Sequence, residues 1–147
     1  MNHKDIKRLI EEGKIPAPPK GDMLELIFER QNQLIDKYHP IEKARGAHVV
    51  EREMFGQLDH RFLQWRLKDV IGERCVEEIH EAMNTLRNKP WAQNDTLTDV
   101  DHFFDEIADA LHFFVEGCIT AGMDAQQLFY LYYLKSEVNK FRLGSGY

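Results

Sequence analysis

Glu78 and Glu81 stand three residues apart in "EEIHE" (77–81), and Glu106 and Asp109 stand three apart in "DEIAD" (105–109). On a helix, residues at that spacing share a face. With Glu106 at zero on a wheel of ~100° per residue, Phe103, Ala110, Ile107 and Phe113 fall between roughly −20° and +100°. Glu106 therefore lies inside an apolar arc, and Asp109, at about −60°, sits on its border. With Glu78 at zero, Cys75, Ile79, Ala82 and Leu86 fall between roughly +40° and +100°, and Glu81 at about −60°. Helices joined by a short loop usually pack antiparallel, which would face the four acids toward one another. Carboxylates gathered in one partly buried place repel and lose hydration. A hard divalent cation, Mg²⁺ or Mn²⁺, offsets both costs with oxygen ligands.

Mg²⁺ commonly shares its coordination between carboxylates and substrate phosphates. The last helical stretch offers a counterpart. Lys135, Asn139 and Arg142 follow one another at i, i+4 and i+7, and Leu128 and Leu131 extend the row toward the N-terminus. The row is expected to face inward, with Lys and Arg binding phosphates and Asn a sugar hydroxyl or a base. Acids and cations together specify metal-dependent cleavage of a phosphoanhydride.

Two other readings use the same residues. Glu77-x-x-His80 and Asp109-x-x-His112 mimic the Glu-x-x-His spacing of di-iron bundles. Glu77 and His80 fall at roughly −100° and −160° on the Glu78 wheel, away from the apolar arc, which argues against that reading. A non-catalytic helical interaction protein is the other, and it has no need of four converging carboxylates.

The elements that must position these groups are helical, since no period-2 apolar run of useful length occurs. The pattern predicts an all-α protein with four or more substantial helices. Residues 1–13 read as a short amphipathic helix through Ile6, Leu9 and Ile10. "KIPAPPKG" (14–21) reads as a linker, because three prolines exclude a helix interior. Residues 1–21 are thus an arm with a Pro-rich linker, and 22–147 the domain. Asp22 with Glu25 suggests a capping box opening a helix over about 22–38, ended by Tyr38-His39-Pro40. A second helical stretch is expected from near Glu42, interrupted by glycines at 46, 56 and 72. Helix is expected from about Asp59 to Asn88, a loop over 88–99, and a helix from Thr98 or Asp99 to Ala121, capped by Gly122. Asp124 with Gln127 suggests a second capping box and a last helix to about Phe141.

A chain of 147 residues suits one domain. The net charge of −6 argues against a generic nucleic-acid binder. Cys75 and Cys118 have no metal-ligand spacing and read as reduced core thiols. No apolar run reaches a membrane span, and no signal-peptide pattern is present, so a cytoplasmic location is expected.

"EEIHE" followed by "DEIAD" resembles the ExxE…ExxD signature of the all-α nucleoside triphosphate pyrophosphatases, the MazG-like superfamily. "RCVEEIHEAMNTLRNKPW" and "DEIADALHFF" resemble the dimeric dUTPases of some bacteria, kinetoplastids and phages. "GMDAQQLFYLYYLKSEVNKFRLGSGY" resembles the C-terminus of the dCTP/dUTP pyrophosphatases of tailed phages, and "LIFERQNQLIDKY" (26–38) the first helix of that family. The likeness covers about residues 22–147. It implies an all-α helical bundle, a homodimer, and Mg²⁺-dependent hydrolysis of dUTP or dCTP to the monophosphate and pyrophosphate. It also implies that Glu78, Glu81, Glu106 and Asp109 are metal ligands, with Glu78 activating the attacking water. Lys135, Asn139, Arg142 and Tyr147 would bind phosphates and sugar, Gln31 the base, and Trp91 and His112 would lie near the site. The chain lacks room for the extra helical insertion of many dimeric dUTPases, and "HPIEKARGAHVVERE" matches nothing in the family pattern.

Overall fold

A computed structural model describes residues 3–86, 89–93 and 97–146. Six α-helices carry them: α1 (His3–Glu11), α2 (Met23–Ala44), α3 (Arg61–Leu67), α4 (Val76–Thr85), α5 (Val100–Thr120) and α6 (Ala125–Gly144). A π-helical segment, Lys68–Cys75, joins α3 to α4 without a break. Among the described residues there is no strand, and no helix is long and apolar enough to cross a membrane.

Capping chemistry sets most helix ends where the sequence places them. Asp22 accepts from the Glu25 N–H at 3.0 Å to start α2, and Asp99 accepts from the His102 N–H at 3.0 Å to start α5. At α6 the full reciprocal box forms between Asp124 and Gln127. Gly122 closes α5 with φ of 84°, a conformation that costs a glycine little.

Two expectations fail between residues 38 and 60. The helix does not end at Tyr38-His39-Pro40; α2 runs through Pro40 to Ala44. Proline removes a bond to the carbonyl four residues back, here that of Asp36, and both residues are exposed, so water can serve that carbonyl. Arg52 also braces this turn, donating to Asp36 Oδ1 (2.7 Å), Asn32 Oδ1 (2.9 Å) and the Asn32 carbonyl (2.9 Å). Nor does a second long helix follow Glu42. Residues 45–60 are irregular apart from one 3₁₀ turn, Arg52–Met54.

The core joins Phe28 and Ile35 of α2 to Val115, Cys118 and Ile119 of α5 and Ala125 of α6. A second layer comes from the continuous helix 61–85, whose buried positions include Leu63, Arg66, Val70, Cys75 and Ala82. Leu63 to Val70 and Cys75 to Ala82 are seven-residue steps that hold one face of an α-helix. Val70 to Cys75 is a five-residue step, which in an α-helix would displace the face by ~140°. The wider π turn falls there and brings both halves back toward α5.

The helix 61–85 runs antiparallel to α5. Ile71 lies against Gly117, Cys75 Sγ meets the Ala110 carbonyl at 3.3 Å, and Thr98 Oγ1 donates to the Leu86 carbonyl at 3.3 Å, so rising numbers on one helix meet falling numbers on the other. At Gly117 a Cβ would come within 2.4 Å of Ile71, whereas at Gly72 it would meet nothing. The two mid-helix glycines should therefore respond oppositely to alanine. Gly117→Ala is expected to cost about 1–3 kcal/mol through overpacking, and Gly72→Ala to be neutral or stabilising by up to about 1 kcal/mol. Urea melts of both variants check this, and equal losses would contradict the packing described.

Candidate metal centre

Small buried side chains let α4 and α5 approach closely where their acids lie. Ala82 on α4 and Ala110 on α5 are buried, as is Cys75, whose thiol touches the Ala110 carbonyl. Glu78, Glu81 and Glu106 converge on this seam, each offering a carboxylate oxygen, and these oxygens all lie within 4.8 Å of one another. Glu106 is the deepest at 8% exposure, Glu78 is half-buried and Glu81 is exposed. Asp109 shares the face and lines a cavity of about 380 Å³ with Glu78, but it is exposed and stands outside the tight triad.

The electrostatics match a place that wants positive charge. Burial, a hydrogen bond with Glu106, and the charges of Glu81, Asp109 and Glu106 push the Glu78 carboxyl up to about 7. The donor set is all carboxylate oxygen, which suits Mg²⁺ or Mn²⁺. Among the described residues the metal-capable group contains no histidine, and Glu77 and His80, one half of the di-iron spacing, are both exposed.

Sequence inspection missed two groups around the acids. His102 donates from Nε2 to Glu106 Oε1 at 2.6 Å and so fixes the deepest carboxylate. Arg74 lines the Glu78 cavity and is clamped by Glu42 (2.7 Å) and Asp69 (2.8 Å). Each precedes the first acid of its pair by four residues, a basic-then-acidic i, i+4 signal that was present in the sequence. Beneath them the buried Arg66 reaches Glu42 (2.8 Å), Glu116 (3.0 Å) and Asp69 (3.5 Å). Burial pushes the Glu116 carboxyl up. Burial opposes ionisation of Glu42 too, yet hydrogen bonds from Arg74 and Arg66 hold its carboxyl below the usual range. The network ties α2, the 61–85 helix and α5 together directly below the acids.

Gln31 is 3% exposed, and its Oε1 accepts from His112 Nδ1 at 3.0 Å. Both residues line the cavity that holds Glu78 and Asp109. In this arrangement the Gln31 amide nitrogen remains a donor, and Nε2 of neutral His112 an acceptor.

Other expected site residues are not brought to the acids. α6 docks on the core through Ala125 and Leu128, but Leu131 is 47% exposed, and Lys135, Asn139 and Arg142 stand on exposed helix rather than on an inward row. None of the three lines the acid cavity. The helix simply extends past the body that would have covered it. Trp91 is 79% exposed on the loop after α4 and lines neither the acid cavity nor the one beside Gln31. Tyr147 lies outside the described residues. Comparison of the chain with protein-family models, curated proteins and solved structures returned no match.

A carboxyl raised in the folded state binds more protons there than when unfolded, so its stabilisation is present below its usual 4.5 and is lost as pH rises to about 7. In EDTA, the melting temperature is expected to fall across that window, and Mg²⁺ to reverse the fall. Glu78→Gln should flatten the EDTA profile. An unchanged profile in that variant would separate the pH dependence from Glu78.

The network makes a further prediction. Arg66→Ala leaves the Glu116 charge without its partner in the core and is expected to cost about 3–5 kcal/mol, measurable in urea melts at neutral pH. A loss under ~1 kcal/mol would mean that the network does not brace the helices, since that is what an exposed pair is worth.

Proposed function

We propose that this chain hydrolyses a pyrimidine deoxynucleoside triphosphate, dUTP or dCTP, to the monophosphate and pyrophosphate, with Mg²⁺ or Mn²⁺ as cofactor. The observation that carries the reading is the convergence of Glu78, Glu81 and Glu106 from two antiparallel helices, with burial and then its acidic neighbours pushing Glu78 up to about 7. The spacing of those acids and of the C-terminal residues, which resembles the MazG-like pyrophosphatases, supports the same reading.

When bound, a divalent ion would neutralise the phosphates and make a nearby water more acidic. Glu78, Glu81 and Glu106 would hold it, with Asp109 beside them and His102 fixing the Glu106 carboxylate. Glu78 orients the attacking water and takes its proton. The water oxygen bonds to phosphorus, the anhydride P–O bond breaks, and pyrophosphate leaves with the electron pair. Gln31 and His112 meet the base. Their donor and acceptor suit uracil through O2 and N3–H, or cytosine through N3 and the amino group, by a shift of one ring atom.

A second copy completes the reading. Ile79 and Ile107, drawn into the apolar arcs by the wheel, are 40% and 42% exposed, and Met83 is exposed as well. Phe129, Tyr133 and Phe141 of α6 are also uncovered. A homodimer would bury these faces, and such an assembly is what would bring Lys135, Asn139 and Arg142 to a triphosphate. The same uncovered apolar surface is the one observation that favours a non-catalytic interaction protein instead.

The test is a panel of dUTP, dCTP, dTTP, dATP and dGTP with Mg²⁺ and with Mn²⁺, separating pyrophosphate from phosphate. Pyrophosphate from dUTP or dCTP is expected, and no hydrolysis on any substrate would favour the interaction protein. Glu106→Gln should lose at least ~10²-fold in rate while keeping its helical content, since charge-stabilising groups are worth that much. Full activity in that variant would remove Glu106 from the chemistry.

A further inference from the structure

The 14–21 segment, which reads as a spacer in the sequence, forms one wall of a cavity of about 430 Å³. Residues 16–19 face Leu26 of α2 and Leu111 of α5, and the polar lining is Arg30, Gln31 and His112. Three prolines in four residues suit such a wall. They fix the backbone, present flat apolar rings, and bring no N–H that would need a partner against an apolar surface. Gln31 spends its oxygen on His112, and among the described residues its amide nitrogen has no hydrogen bond to protein; since no buried side-chain nitrogen or oxygen there lacks a partner, that nitrogen is open rather than sealed in the core. That unspent donor belongs to a side chain lining both this cavity and the one that holds Glu78 and Asp109. A ligand reaching from one to the other needs an apolar ring with polar edge atoms at one end and anionic groups at the other.

We propose that residues 16–19 are the wall of a nucleobase pocket, in which a pyrimidine ring lies between the prolines and the Leu26–Leu111 side with its polar edge on Gln31 and His112. The inference rests on the nucleotide reading above and adds to it a specificity element outside the helical domain. The prolines touch the base and none of the reacting atoms. Loss of the wall therefore weakens binding equally in ground and transition states and raises KM without lowering kcat.

The experiment uses the full chain and two probes, 2′-deoxyuridine and 2′-deoxycytidine, without metal or phosphate. Each nucleoside is expected to shift the NMR signals of Ala17 and His112. Replacing 16–19 by Gly-Ser-Gly-Ser should weaken that binding and raise KM for dUTP or dCTP by about tenfold, with kcat within about twofold. Ala17→Phe, which fills the cavity while keeping the prolines, should abolish the nucleoside shifts. Far-UV melts of both variants establish that the domain is intact. The pocket is refuted if the nucleosides leave Ala17 and His112 unmoved, or if they bind the Gly-Ser variant as well as the parent. It is equally refuted if those signals move only with protein concentration, the mark of a second copy seated there. Nucleoside binding without hydrolysis of any triphosphate would sink the proposed reaction and leave the pocket standing. Hydrolysis with no response to the wall would do the reverse.

Discussion

The seam between α4 and α5 gathers three carboxylates that repel one another, and the surrounding structure has to hold them there. Apart from the hydrogen bond between Glu78 and Glu106 the acids oppose the arrangement, since burial and mutual charge push Glu78 toward its protonated form. The opposing forces come from packing and from a buried ion network. Cys75, Ala82 and Ala110 keep the helices close, and Arg66 binds Glu42 and Glu116 from below. Breaking such a buried pair leaves a bare charge in the core, which makes the network a strong constraint even where its net contribution to stability is small. Stability and site geometry therefore depend on the same few contacts.

The phase of the 61–85 helix is the second constraint. Its first half must present Arg66 to α5, and its second half must present Glu78. An unbroken α-helix could not do both across the five-residue step from Val70 to Cys75. The π segment absorbs the mismatch at the expense of regular hydrogen bonding. A π turn immediately before the acids is thus the means by which one helix presents a buried structural face and an acidic face in succession.

What the sequence revealed and what it hid divides along physical lines. The pairing of Glu78 and Glu81 with Glu106 depends on local helical periodicity and a short connection, so a wheel drawn on each segment found it. The caps at Asp99, Gly122 and Asp124 are equally local, and the limits of α5 and the start of α6 follow from them, while α6 runs to Gly144, past the expected end near Phe141. Pro40 misled because its cost depends on whether the orphaned carbonyl meets water, which the sequence does not show. The π segment was hidden because the Glu78 wheel began at Cys75, just past the five-residue step. The outward course of α6 depends on where the body stops, and the cavity wall that residues 16–19 form depends on which surface they cross. Both are properties of the folded molecule rather than of a segment.

One close crossing governs how the last helix leaves the body. Gly56 donates its N–H to the Thr120 carbonyl at 3.0 Å, and a Cβ on Gly122 would come within 2.7 Å of the Gly56 Cα. Two backbones touch there with no side chain between them, and both glycines have positive φ. The heading of α6 is therefore set in part by bare main chain in a distant loop, together with the Ala125 and Leu128 contacts at its first turns, so the polar and aromatic surface beyond them can vary without altering the direction in which it projects.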